Sequence, residues 1–287
     1  MKRIASPKRT RQLIRKHNFR LSKSLGQNFL IDENILQNIV TASGISGDDY
    51  VIEIGPGLGS LTEFVASSAK EVLAIEIDKN LLPILEESLS TFDNVKVIHG
   101  DILKVDIHKI ILDHFKGDRV KVIGNLPYYA TTPIIMRFLE EEIPMSSMTI
   151  MLQREVAHRM AAQPSTKEYG SLSIAVQYYC QSKLLMEIPP SAFMPQPKVY
   201  SALVQLDLLK EPRVQVGDRA LFFQMVRDAF GKRRKTLLNA LSSGKLNLEK
   251  NLLRHIFQRA QIDANRRGET LSIHEFAKLT NTLLENL

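Results

Sequence analysis

The stretch Asp49-Tyr50-Val51-Ile52-Glu53-Ile54-Gly55-Pro56-Gly57-Leu58-Gly59-Ser60 constrains this chain more than any other. Val51, Ile52 and Ile54 make a short apolar run, the pattern of a parallel strand buried on both faces. Glycines at alternate positions then permit a tight turn and a close approach of backbone to a ligand. Leu61, Phe64 and Val65 follow at helical spacing. Strand, glycine turn and helix form the unit from which doubly wound α/β folds build nucleotide sites. The spacing here is not the G-x-G-x-x-G of pyrophosphate binders, however, and an acid, Glu53, stands inside the strand end. S-adenosylmethionine, which has no phosphate, suits this pattern. Gly55, with Gly57 in the same turn, would let the backbone approach the amino acid end, and Glu53 would lie near its ammonium. A glycine-rich turn without a ligand would read the same from this stretch alone.

The next strands sharpen the choice. Glu71-Val72-Leu73-Ala74-Ile75-Glu76-Ile77-Asp78 is apolar with acids at its carboxyl end. Glu76 lies about 20 residues past the first glycine, where a carboxylate accepts both ribose hydroxyls. Ile77 neighbours it, and of the two acids at this strand end Glu76 is taken for the ribose over Asp78. A third strand, Val95-Lys96-Val97-Ile98, leads into Gly100-Asp101, an acid placed for an adenine amine. Any one of these acids could be a solvated loop residue; the three strand ends together describe a cofactor crevice.

Charge is unevenly spread. The 287 residues carry a net +7. Residues 1–31 hold nine Lys or Arg and no acid, a balance of +9; residues 32–210 balance at −8 and residues 211–287 at +6, which sum to the whole. An acidic core with basic flanks suggests a polyanionic partner, nucleic acid above all. One cysteine, Cys180, rules out an internal disulfide framework and fits a reducing compartment. No apolar run approaches the ~20 residues of a membrane span. The basic, acid-free N-terminus resembles a transit peptide in composition but leads directly into a motif, so the expected location is the cytoplasm. No spacing of His, Cys and acids suggests a metal.

Residues 45–125 alternate strand and helix four times, which predicts a parallel sheet with helices on both faces. Residues 1–23 mix charge and hydrophobe, part helical and part disordered, and are expected to order against RNA or the core. Lys23-Ser24-Leu25-Gly26-Gln27-Asn28-Phe29-Leu30-Ile31-Asp32 precedes a helix, with Asp32 as N-cap. It is either a capping loop or, through Asn28 and the Leu30 backbone, a cover over the methionine end of the cofactor. Strands at 183–188 and 201–206 are expected at an antiparallel sheet edge. Glu211-Pro212 marks a boundary, beyond which apolar residues recur at helical spacing. The predicted organisation is a basic extension (1–23), a methyltransferase domain (24–210) and a small all-helical RNA-binding domain (211–287).

The sharpest motif ends the fourth strand: Asn125-Leu126-Pro127-Tyr128-Tyr129. An adenine amine is a poor nucleophile because its lone pair is delocalised into the ring. Two carbonyls accepting its hydrogens would draw the nitrogen toward tetrahedral geometry and free that pair. Asn125 supplies one carbonyl, and the Leu126-Pro127 backbone supplies the other. Proline fixes its own φ and holds Leu126 extended, which aims that group. Tyr128 offers a ring for an extruded base. The proline-rich loop Pro189-Pro190-Ser191-Ala192-Phe193-Met194-Pro195-Gln196-Pro197 is stiff and extended. It either holds Phe193 in the open as a second plane facing Tyr128 or buries it, and spacing does not choose. The cluster Lys232-Arg233-Arg234-Lys235 between two apolar helical stripes suits phosphate contact.

These motifs, with Gln153-Arg154-Glu155-Val156, Tyr169-Gly170-Ser171-Leu172-Ser173 and Arg267-Gly268-Glu269-Thr270-Leu271-Ser272, closely resemble the bacterial KsgA/RsmA-type small-subunit ribosomal RNA adenine dimethyltransferases, nearly end to end. The resemblance implies a Rossmann-like S-adenosylmethionine methyltransferase fold and N6,N6-dimethylation of two adjacent adenosines near the 3′ end of 16S rRNA. It implies the 30S subunit or its precursor as partner and a monomeric enzyme. Asn28, Leu30, Gly55, Glu76, Asp101 and Asn125 become expected cofactor contacts, with Glu53, Gly57 and Ile77 beside them. Lys23, Lys232, Arg233, Arg234 and Lys235 become expected RNA contacts, and a Tyr128/Phe193 clamp is favoured. Tyr200 departs from the family, which usually has an acid there. Competing readings are a 23S rRNA adenine methyltransferase of the macrolide-resistance type, which typically carries Asn-Ile-Pro-Tyr, and an assembly factor acting mainly by binding. An NAD-linked dehydrogenase is disfavoured by the glycine spacing.

Overall fold

In the computed structural model, residues 3–22, 25–232 and 234–286 are described. The elements in chain order are α1 (Pro7–Lys16), β1 (Phe29–Leu30), α2 (Glu33–Ser43), β2 (Tyr50–Ile54), α3 (Ser60–Ala66), β3 (Glu71–Glu76), α4 (Leu82–Ser88) and β4 (Val95–His99). Then come α5 (Ile107–Phe115), β5 (Val120–Asn125), α6 (Thr131–Glu140), β6 (Met145–Gln153), α7 (Arg154–Ala161), α8 (Ser171–Tyr179), β7 (Cys180–Ile188), β8 (Phe193–Met194) and β9 (Ser201–Leu208). Four helices finish the chain: α9 (Arg219–Phe230), α10 (Leu237–Ser242), α11 (Lys250–Ala260) and α12 (Ile273–Leu284). No helix among the described residues is long and apolar enough to cross a membrane.

The chain divides into two compact units, Met1–Ala157 with Lys183–Leu208, and His158–Ser182 with Leu209–Leu287. The first contains a seven-stranded sheet in the order β4-β3-β2-β5-β6-β9-β7. Strands β4, β3, β2, β5 and β6 are parallel, and β9 runs antiparallel to β6, pairing Ile150 with Val204. Chain order leaves β2 toward β3 and β4, then resumes at β5 on its other side. The crevice outside the carboxyl ends of β2 and β5 is therefore the switch point where open α/β sheets bind ligands.

The sequence explains these elements locally. Val51, Ile52, Val72, Leu73, Val122 and Ile123 are buried with helices over both faces, so the central strands lack alternation. Asp32 caps α2, its Oδ1 accepting from Asn34 N and Ile35 N. Ser272 and Glu275 form the capping box of α12. Thr131 lies in the first turn of α6 and donates its hydroxyl to the Pro127 carbonyl, 3.1 Å away.

Two features extend the sequence reading. The N-terminal segment orders against the first unit: α1 is capped by Ser6, and Ile4, Leu13 and Phe19 join Leu58, Ile84, Leu85 and Leu89 in one apolar cluster. Glu87 holds the helix end through Lys16 Nζ at 2.7 Å and His17 Nε2 at 2.8 Å. The second unit takes in His158–Ser182 as well as the chain from 209 onward, whereas the sequence placed the boundary at 210–211 alone. The reason is packing. Tyr169, Ile174 and Tyr178 belong to the cluster of Phe222, Phe257 and Phe276, and Tyr169 donates its hydroxyl to the Leu271 carbonyl at 2.9 Å.

If α1 is integral to the first unit, Leu13→Ala leaves a cavity in a fully buried position. Chemical denaturation is expected to show a loss of about 2–4 kcal/mol. Unchanged stability would mean that this segment does not contribute to the core.

Candidate active site

One pocket gathers most of the expected residues, all from the first unit. The turn after β2 contributes Glu53, Gly55 and Gly57; the end of β3 contributes Glu76 and Ile77; the end of β5 contributes Asn125, Leu126, Pro127 and Tyr128; the stretch through β1 contributes Asn28 and Leu30. Gly55 and Gly57 both adopt positive φ, 67° and 62°. They differ in what surrounds them. A Cβ on Gly57 would meet the Phe29 ring at 2.9 Å, so this glycine serves protein packing. A Cβ on Gly55 would meet nothing within 4 Å, so the backbone there faces open space.

The polar groups around that space are short of partners. Glu53 is 1% exposed, and its Oε2 has no hydrogen-bond partner among the described residues; the same holds for Ser60 Oγ, which also lines the pocket. Burial pushes the Glu53 carboxyl up to about 8; Thr62 works against the shift, and the neighbouring Glu76 adds to it. Glu76 is raised for the same first reason, burial, although its oxygens accept from Asp78 N at 2.8 Å and Gly57 N at 3.1 Å. Each carboxylate oxygen has a second lone pair, so Glu76 retains capacity for two ribose hydroxyls. Two buried carboxyls that resist ionisation together favour a ligand bringing positive charge. An amino acid end with its ammonium, on a nucleoside with vicinal hydroxyls, fits these donors and acceptors.

Asp78, set aside in favour of Glu76, is occupied elsewhere. It accepts from Asn80 N, Asn80 Nδ2 and Gln27 Nε2. Gln27 also accepts from Ser22 N at 2.8 Å, so it ties the stretch before β1 to the end of β3. The sequence reading gave Gln27 and Ser60 no role. The signal available for Ser60 was a small polar residue opening the helix directly after the glycine turn.

At the end of β5, Asn125 Nδ2 donates to the Asn28 carbonyl at 2.8 Å. A carbonyl only accepts, so the amide nitrogen must face it, and Oδ1 is turned to the other side as an acceptor. The Pro127 carbonyl already receives Ala130 N and Thr131 Oγ1, which narrows the second acceptor of the motif to Leu126. Tyr128 lines the pocket, and its hydroxyl lies 2.9 Å from Oγ of the buried Ser201 on β9, which sets the ring position.

Two expectations meet a different arrangement. Phe193 does not stand in the open: it is 1% exposed, because β8 pairs with β1 and places Phe193 opposite Leu30 inside an apolar cluster. Phe193 therefore does not offer the facing aromatic plane expected from the stiff loop, whereas Tyr128 lines the pocket. Asp101 does not line the pocket. Its Oδ1 accepts from Leu103 N at 3.0 Å, and its Oδ2 lies 3.5 Å from Lys104 Nζ, in the turn after β4. Among the expected RNA contacts, Lys232, Arg234 and Lys235 are exposed in the turn between α9 and α10 of the second unit. Lys232 Nζ donates to Ser243 Oγ at 2.8 Å. Lys23 and Arg233 lie outside the described residues. Tyr200 is 46% exposed beneath the Arg154 guanidinium. No cluster of three or more His, Cys, Asp or Glu among the described residues is placed to hold a metal.

Comparison with known proteins supplies the context for this pocket. The family model for ribosomal RNA adenine dimethylase matches residues 18–279. The ribosomal RNA small subunit methyltransferase A of Alkaliphilus oremlandii is 59% identical over 287 residues, all of both chains. A dimethyladenosine transferase from Plasmodium falciparum superposes with a TM-score of 0.74 at 25% identity, covering 88% of this chain and 95% of that one. The 23S rRNA methyltransferase ErmE gives 0.68 at 23% identity over 89% and 99%, a likeness of fold.

Burial of Glu53 has a consequence for stability. The unfolded chain releases this proton near 4.5, and the folded chain holds it to about 8. Between those values the folded state binds the extra proton, so the site's contribution to stability falls as pH rises. Without ligand, Glu53→Gln is expected to melt higher than the parent at pH 8, by on the order of a few kcal/mol. The two should converge toward pH 4.5 in a melting series. Parallel curves would show that Glu53 is ionised in the folded protein.

Proposed function

The chain belongs to the ribosomal RNA adenine dimethylase family, and from that premise we propose that it methylates two adjacent adenosines near the 3′ end of 16S rRNA to N6,N6-dimethyladenosine, in the 30S subunit or its precursor. Methyl transfer from S-adenosylmethionine to rRNA adenine is the family's activity. The observation that carries the finer reading is the extent of identity, which runs at 59% through all 287 residues to a small-subunit enzyme. Likeness to the 23S enzyme is confined to the fold. That one chain's first unit lines the pocket supports a monomer as the working form. A single cysteine, Cys180, buried and in no disulfide, suits the cytoplasm.

In this reading Glu53 and Ser60 receive the amino acid end of the cofactor, the open backbone at Gly55 admits it, and Glu76 accepts from the ribose. Leu30 and Ile77 bound the cofactor apolarly, and Asp101 marks the adenine side of the crevice from outside its lining. The cofactor supplies an electrophilic methyl on a sulfonium. The remaining work belongs to the chain. Asn125 Oδ1 and the Leu126 carbonyl accept the two amine hydrogens of the target base, which localises the lone pair on nitrogen. Tyr128 supports the extruded ring. No titrating base is required, because the nitrogen becomes cationic on transfer and then sheds its proton readily. Lys232, Arg234 and Lys235 meet phosphates.

Asn125→Ala removes one acceptor and is expected to lower kcat by about 100-fold or more, the effect of losing one aligned polar group at a reacting centre. Affinity for undermethylated small subunits should change less than about threefold, the phosphate contacts being intact. Wild-type kcat in this variant would sink the two-carbonyl mechanism.

A further inference from the structure

The geometry points to the outward face of α1 as an RNA-docking surface, with Lys8, Arg11 and Arg15 taking successive phosphates of the rRNA substrate. This rests on the ribosomal RNA reading above and adds to it a contact surface in the first unit. At about 100° per residue, positions 8, 11 and 15 fall within an arc of about 60°, and over seven residues they span about 10 Å. Thr10, Leu13 and His17 lie on the opposite side, where Thr10 and Leu13 are fully buried. The helix therefore turns one face into the protein and a straight row of cations outward.

Four other basic residues of the segment are engaged. Glu87 takes Lys16, His17 and Arg9, and Arg3 lies near Glu33. Lys8, Arg11 and Arg15 are exposed and make no side-chain ion pair among the described residues. Residues 1–31 contain no acid that could balance them. Helix stability does not account for the row either. Lys8 sits in the first turn, where the helix dipole disfavours a cation. Arg11 and Arg15 are like charges at i,i+4, and Lys8 and Arg11 at i,i+3, spacings that weaken a helix. An external polyanion relieves all three penalties.

A membrane is not the occupant, because a surface-bound amphipathic helix needs a free apolar face, and the apolar side of α1 is already covered. The row is also held in place before any partner arrives. Ile4 N donates to Glu63 Oε2 at 2.9 Å, and Thr10 Oγ1 donates to the Ile4 carbonyl at 3.2 Å. Past the helix, the Phe19 ring packs 6.2 Å from that of Phe29, which lines the pocket. A backbone gripped along α1 is thus tied through one short segment to the place where the base is presented.

The test compares two triple variants of the full chain: Lys8→Gln, Arg11→Gln, Arg15→Gln on the proposed row, and Lys109→Gln, Lys116→Gln, Arg119→Gln as a control that removes the same charge from exposed positions of the same unit. Glutamine keeps helix propensity. Methyl transfer to undermethylated 30S particles is measured over a series of KCl concentrations, with cofactor affinity by calorimetry. The row variant is expected to bind cofactor as the parent does, to raise KM for particles by about tenfold, and to flatten the log–log salt dependence by about 2. Equal effects from both triples, or none from the row variant, would overturn the proposal. If the parent itself methylates no 30S particle, the failure lies with the functional reading and not with α1.

Discussion

The donation from Asn125 Nδ2 to the Asn28 carbonyl, 2.8 Å long, joins the end of β5 to the stretch that runs into β1. Much of the site depends on it. Parallel strands place β2 and β5 side by side at the switch point, but the sheet alone does not orient an amide at the tip of a strand. The Asn28 carbonyl does, since it leaves only one way round for the amide. The same contact holds the residues before β1 across the pocket. Gln27 secures them from the other side by bonding Asp78, and the pairing of Leu30 with Phe193 backs them with the apolar core. The proposed acceptor Asn125 and the wall of the pocket are therefore set by one small network.

Electrostatics shapes the remainder. Glu53 and Glu76 stand buried a few residues from open glycine backbone, and burial raises both. Such an arrangement is unfavourable without a ligand, and its relief is positive charge. A sulfonium cofactor with an ammonium group provides that charge, and transfer of the methyl group removes the sulfonium part of it. Elsewhere the signs reverse: exposed cations lie on α1 of the first unit and in the turn between α9 and α10 of the second.

Much of this was legible in the sequence because the signals were local. The apolar run at 51–54, the glycines after it, and the Asn-x-Pro-Tyr at 125–128 each specify backbone geometry within a few residues. Alternation along a strand does not separate Glu76 from Asp78, two residues apart; the carboxylate of Asp78 is set apart by its bonds to Asn80 and Gln27. What escaped depended on contacts distant in the chain. The burial of Phe193 follows from β8 pairing with β1, more than 160 residues apart in sequence. The helical unit gains 158–182 because Tyr169 and Tyr178 find partners beyond residue 220. Asp101 was placed correctly at a strand end, but its carboxylate is taken by the turn it begins. The N-terminal segment, expected to order against RNA or the core, is seated on the core by Ile4, Leu13 and Phe19, since only one face of a helix needs to be apolar.

The most direct measurement is transfer of labelled methyl from S-adenosylmethionine to undermethylated 30S and 50S particles offered separately, followed by nucleoside analysis of the recovered rRNA. Dimethyladenosine in 30S rRNA alone, at two residues per particle, is the expected result. Label in the 50S particle would contradict the small-subunit assignment, and no label in either, with cofactor bound, would contradict catalysis by this pocket.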